Sequence, residues 1–83
     1  MHIVYILISE KNPAKYYIGI TDNLQRRLQE HNAAASGYSK RFAPWSLETH
    51  IIFRSKALAR RFEKYLKVGS GQAFLKKRFI AAK

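Results

Sequence analysis

Residues His2 to Ile8 form a nearly unbroken run of β-branched and apolar side chains, and after a turn at Asn12-Pro13 a second short run extends from Tyr16 to Ile20. Runs of this length and composition read as strands, and a turn of this kind joins them as a β-hairpin. The 83 residues contain no cysteine. Disulfides, a thiolate metal cage and a cysteine nucleophile are therefore excluded, and packing alone must stabilise the fold. With 47% hydrophobic and 13% aromatic residues, the chain can close one core but not two, so a single domain over residues 1–83 is predicted.

Downstream, Asp22 is positioned to cap a helix whose third residue is Gln25, a capping-box spacing, with Leu24 and Leu28 as the buried stripe through about Asn32. Ala33 to Trp45 is small, polar and basic and reads as a long loop, and Leu47 to Phe53 reads as a third strand. Ser55 caps a second helix in which Leu58, Phe62, Tyr65 and Leu66 recur at helical spacing. Gly69-Ser70-Gly71 ends that helix, and a short last helix is predicted from Ala73 to about Ala81. The order β-β-α-β-α-α describes an α+β fold, a small, mainly antiparallel three-stranded sheet flanked by helices.

Charge gives the first indication of a partner. Sixteen Lys and Arg against five Asp and Glu leave a formal net charge of +11 and a pI near 10.4, a surface suited to a polyanion. Membrane binding would require a cationic helix with exposed large apolar residues, whereas here strands and core stripes consume them. The Ile3 to Ile8 run has no basic flank and is too short for a bilayer span or a signal sequence. A soluble, unprocessed, cytoplasmic protein that binds nucleic acid is expected.

Three groups of side chains could carry chemistry. On the first helix Arg26 faces away from the leucines, while Arg27 and His31, four apart, lie along the edge of the buried face. Arg27 either covers the core edge with its aliphatic stem or reaches a functional site, and His31 is either a core-edge residue or a proton carrier. On the second helix Glu63 is the only acid from Arg54 to the C-terminus, set among Lys56, Arg60, Arg61, Lys64 and Lys67. It suits either an i, i+4 ion pair with Lys67 or a hard oxygen ligand to Mg²⁺ or Mn²⁺. Tyr5, Tyr16 and Tyr17 lie in strands, the last two pointing to opposite faces. In the loop, Tyr38, Lys40, Arg41, Phe42 and Trp45 interleave cations with rings, the composition that neutralises phosphate and stacks on bases. Trp45 has the alternative of closing the loop onto the core.

Taken together, these residues resemble the GIY-YIG nuclease family, most closely its small stand-alone bacterial members related to the nuclease module of excision-repair proteins. Ile3-Val4-Tyr5 stands at the first motif, Tyr17-Ile18-Gly19 at the second, and Arg26-Arg27-Leu28-Gln29-Glu30-His31-Asn32 follows at the family's spacing. The match spans nearly the whole chain, and it is the ordered combination that is specific.

The resemblance implies a metal-dependent endonuclease acting on DNA (RNA is the other candidate substrate), with repair or recombination as its expected setting and no small-molecule cofactor. Tyr5 and Tyr17 would line the site with Tyr5 as base, Arg27 would bind the scissile phosphate, His31 would assist proton transfer, and Glu63 would hold one divalent ion, Mg²⁺ or Mn²⁺. The basic residues Arg26, Lys40, Arg41, Arg60, Lys64, Lys67, Lys76 and Lys77, with Trp45 and Ser70, would contact nucleic acid. Ile3 replaces the family's first glycine, and the downstream Asn of some members is not evident, which leaves its role to Ser70 or Gln72 or leaves it unfilled. The alternative is a non-catalytic DNA- or RNA-binding module with a vestigial site.

Overall fold

The structure is a computed structural model, and it describes residues 1–80. Three strands, β1 (His2–Ser9), β2 (Tyr16–Thr21) and β3 (Trp45–Phe53), form an antiparallel sheet in the order β2-β1-β3. β1 is central, and its residues from Val4 to Ser9 are all buried. That explains the missing polar alternation, because a strand covered on both faces has no solvent side. The register between β1 and β3 slips between Ile6 and Leu7, a β-bulge.

Side-chain alternation along β1 divides the core into two layers. Val4 and Ile6 pack with Ile18, Ala59, Leu66 and Leu75 beneath α3 (Lys56–Lys67) and α4 (Gly69–Leu75). Tyr5 and Leu7 pack on the other face with Trp45, Tyr17, Leu24, Leu28 and Phe42, beneath α1 (Leu24–Asn32) and α2 (Gly37–Arg41). Tyr16 and Tyr17 divide between the two layers, as adjacent strand residues must.

Several local expectations are corrected. The α1 cap is Asn23, not Asp22: Asn23 has extended backbone and its side-chain oxygen accepts from Arg26 N at 3.1 Å. Asp22 stands one residue too early and pairs with Arg26 at the surface instead. The stretch read as a loop contains α2, and β3 begins at Trp45 rather than Leu47. No periodic stripe announces α2, since tertiary contacts hold it: Tyr38 stacks on Trp45 with centroids 5.7 Å apart, and its hydroxyl donates to Tyr16 O at 2.9 Å. The last helix was expected from Ala73; instead α4 starts at Gly69 and runs into one π-helical turn, Lys76–Ile80. Gly69, at φ 52°, lets the chain leave α3 and enter α4 at once. The expected end at Ala81 lies outside the described residues.

Trp45 is a further correction. It is 2% exposed, its Nε1 donates to Ser39 O at 2.8 Å, and its backbone is clamped by Asn32, whose Oδ1 accepts from Trp45 N and whose Nδ2 donates to Trp45 O. A ring so enclosed cannot stack on a base. Trp45→Phe is expected to lower stability by about 1 to 3 kcal/mol through lost volume and an unsatisfied carbonyl, with nucleic-acid affinity unchanged. Chemical denaturation and a binding titration on the same variant check both halves.

Candidate active site

Tyr5 projects from β1 opposite Gly19 of β2. A Cβ at position 19 would fall onto the Tyr5 hydroxyl and within 2.9 Å of its Cε1. The glycine of the second motif therefore leaves room for the phenol to lie across the neighbouring backbone. Tyr17, two residues earlier on the same face of β2, stacks on Tyr5 with centroids 6.3 Å apart and an interplanar angle of 18°.

α1 crosses this face and delivers Arg27 and His31 from successive turns. Arg27 Nε donates to the Tyr5 hydroxyl at 3.1 Å, and His31 Nε2 lies 3.1 Å from the same oxygen. The His31 ring packs 4.3 Å from Tyr17, and its Nδ1 lies 2.8 Å from Ser39 Oγ of α2. Arg27 Nη1 donates to Glu30 at 2.9 Å, whereas no hydrogen bond among the described residues engages Nη2. That half-exposed edge is available to an anion.

Burial sets the resting protonation. Tyr5 is 1% exposed, and desolvation pushes its phenol above the ordinary 10.0 even though the Arg27 hydrogen bond and charge act to lower it. His31, 4% exposed, is held below the ordinary 6.5, first by desolvation and then by the Arg27 charge. Arg27 is raised by its bonds to Glu30 and Tyr5 and stays cationic throughout. The resting site is thus a neutral phenol, a neutral imidazole and a guanidinium. A phenolate, the form in which Tyr5 would act as a base by itself, is not its resting form.

These shifts predict a pH dependence of stability. His31 binds its proton less readily in the folded state, so its contribution is complete above 6.5 and is lost as pH falls below that value. Tyr5 binds its proton more tightly when folded, so its contribution is complete below 10.0 and is lost as pH rises beyond it. Thermal midpoints measured against pH should decline at both ends, and His31→Gln should flatten the onset of the acid limb near 6.5.

Glu63 is carried by α3. α3 covers the sheet face bearing Val4 and Ile6, opposite Tyr5 and Tyr17. The Glu63 side chain is 16% exposed, and its Oε2 accepts from Lys67 Nζ at 2.6 Å. No hydrogen bond or ion pair among the described residues joins it to the four clustered side chains. No group of three or more His, Asp or Glu side chains comes together among the described residues either. A lone carboxylate fits a cation that takes one or two protein oxygens and completes its shell with water and phosphate, as Mg²⁺ does.

Of the other basic candidates, Arg26 bridges Asp22 and Glu30 at the surface. Lys40 and Arg41 are exposed on α2, with the Arg41 guanidinium 5.3 Å from the Phe42 ring centroid. Arg60, Lys64 and Lys67 are exposed on α3, Ser70 on α4, and Lys76 and Lys77 on the π turn. Gln72 is engaged with the Tyr16 hydroxyl at 3.0 Å. Sequence reasoning missed Glu30, Ser39 and Asn32. The spacing of Glu30 from Arg26 and Arg27 could have revealed the first; nothing local marks Ser39, because its partner is brought in by α1.

A sheet that holds two tyrosines, an arginine and a histidine in mutual contact under one helix defines a catalytic domain of the GIY-YIG type, and the family model described as the GIY-YIG catalytic domain matches residues 1–77. The chain belongs to the GIY-YIG family. It is similar to a UPF0213 protein of Halobacterium salinarum, 38% identical over 68 residues that cover 81% of this chain and 86% of that protein. It is also similar to the structure-specific endonuclease subunit SLX1 of Scheffersomyces stipitis, 42% identical over 67 residues, 72% of this chain and 20% of that one. The SLX1 subunit of Phaeosphaeria nodorum is 40% identical over 63 residues, 69% of this chain, and the matched region spans 17% of that protein's length. Among solved structures, the solution NMR structure of a UPF0213 protein from Bacillus halodurans superposes with a TM-score of 0.55 at 26% identity, over 94% of this chain and 85% of that one. No helix among the described residues is long and apolar enough to cross a membrane.

Proposed function

We propose that this protein is a divalent-metal-dependent endonuclease that hydrolyses phosphodiester bonds of DNA. The observation that carries the reading is the Arg27–Tyr5–His31 cluster: a permanent cation with a free edge, hydrogen-bonded to a phenol that is itself hydrogen-bonded to an imidazole. SLX1 relatives are by name subunits of structure-specific endonucleases, so branched DNA heads the candidate substrates, with a role in repair or recombination.

Arg27 turns its fork toward a non-bridging phosphate oxygen and gives up its bond to Tyr5, uncovering the phenol. Because the phenol is protonated at rest, it acts as a relay rather than as a phenolate: Tyr5 takes a proton from the attacking water as its own proton passes to His31 Nε2. Water oxygen forms the new bond to phosphorus, the bond to the leaving sugar oxygen breaks and that oxygen takes a proton from solvent, and the imidazolium returns its own proton to solvent. Tyr17 walls the site and holds the His31 ring in place. Glu63 would hold the Mg²⁺ or Mn²⁺ ion, which would supply Lewis-acid stabilisation of the phosphate charge.

A cleavage screen over duplex, flap, junction and single-stranded DNA and RNA, with Mg²⁺, Mn²⁺ or chelator, tests the reading. Nicking of at least one DNA substrate that stops with chelator is expected; binding without cutting under every condition would defeat it. The second reading, a nucleic-acid-binding module with an inactive site, has one observation in its favour: the Glu63 carboxylate is tied to Lys67, and no hydrogen bond or ion pair among the described residues joins it to the four clustered residues.

A further inference from the structure

The Tyr5 oxygen meets two nitrogens, Arg27 Nε at 3.1 Å and His31 Nε2 at 3.1 Å. Arg27 Nε always carries its hydrogen, so it can only donate. If His31 Nε2 also carried a hydrogen, the phenol would accept twice and its own proton would have no acceptor, in a residue only 1% exposed. The arrangement that satisfies every group has Tyr5 donating to a bare Nε2. The proton of the neutral ring then sits on Nδ1, which faces Ser39 Oγ at 2.8 Å. His31 is 4% exposed, so without the serine oxygen that N–H would have no partner among the described residues.

We infer that Ser39 is a positioning residue of the active site: its Oγ accepts the Nδ1–H of His31 and so keeps Nε2 free to receive the Tyr5 proton. The hydroxyl is itself held in place. Trp45 Nε1 donates to the Ser39 carbonyl at 2.8 Å, and Tyr38, beside Ser39 on α2, is anchored to Tyr16 O. A buried indole, a short helix and a serine thus set the tautomer of a histidine in the opposing helix. When the proton arrives, the Tyr5 O–H bond breaks and an N–H bond forms at Nε2. The imidazolium then carries two N–H groups, one toward Tyr5 and one toward Ser39. This consequence for cleavage rests on the nuclease reading; the tautomer assignment does not.

The test is long-range ¹H–¹⁵N correlation of the His31 ring in the full ¹⁵N-labelled chain, at a pH where the ring is neutral, for the wild type, Ser39→Ala and Ser39→Thr. The expected result is the Nδ1–H tautomer in the wild type and in Ser39→Thr, and a shift toward Nε2–H in Ser39→Ala. An Nε2–H wild type, or an Nδ1–H ring that persists in Ser39→Ala, overturns the inference. In cleavage assays Ser39→Ala should lose on the order of 10- to 100-fold in kcat with KM unchanged, and Ser39→Thr should restore it. If the tautomers behave as expected and no form of the protein cuts DNA, the nuclease reading falls while the role of Ser39 stands.

Discussion

Arg27→Ala is expected to slow DNA cleavage by about 10²- to 10³-fold, the usual consequence of removing a preorganised donor from a transition state that gathers negative charge. The guanidinium is held at the site by its Nη1 bond to Glu30, and the bond it gives up when phosphate arrives is the one from Nε to Tyr5. Arg27→Lys should recover only a small part of the rate, because an ammonium provides charge without the planar fork. Single-turnover rates at saturating DNA separate this from weaker binding: the loss should appear in the rate at saturation. A variant that cuts at the wild-type rate once saturated would remove Arg27 from the chemistry.

Glu63→Ala is expected to reduce cleavage by about 10³-fold or more, since a bound cation contributes several kcal/mol of transition-state stabilisation. Affinity for uncut DNA should hold or rise, because the substitution removes a negative charge and releases Lys67. The Lys67 ion pair adds a second expectation. To serve a cation, the carboxylate must exchange its ammonium partner for the metal, so Lys67→Ala should lower the Mg²⁺ concentration needed for half-maximal activity. Cleavage titrated against Mg²⁺ for both variants checks the pair of outcomes. Unchanged cleavage by Glu63→Ala would separate the metal from this residue.

Much of the fold was legible because strand and helix periods are local properties of the chain. The apolar run of β1, the opposed faces of Tyr16 and Tyr17 and the four-residue step from Arg27 to His31 all survive in the structure. Two of the errors, at α2 and at Trp45, share a cause. α2 lacks a stripe of its own and is held by Tyr38 on Trp45 and Tyr16, residues that belong to β3 and β2. Trp45 looked available to a base because the sequence around it is basic and aromatic, whereas Asn32, thirteen residues away, clamps its backbone and draws the ring inside.

The site divides along the same line. By itself the sequence determined which side chains were chemically able, two strand phenols, a helical Arg and His four apart and one acid in a basic field, and that they lie in a sheet flanked by helices. Only the tertiary structure decided that Gly19 makes room for the Tyr5 ring, that Ser39 faces His31, and that α3, which carries Glu63, packs on the face opposite the phenols. Periodicity tells a residue which face of its own element it occupies. Strand register and helix crossing decide what meets that face, and both are set by packing between segments distant in the chain.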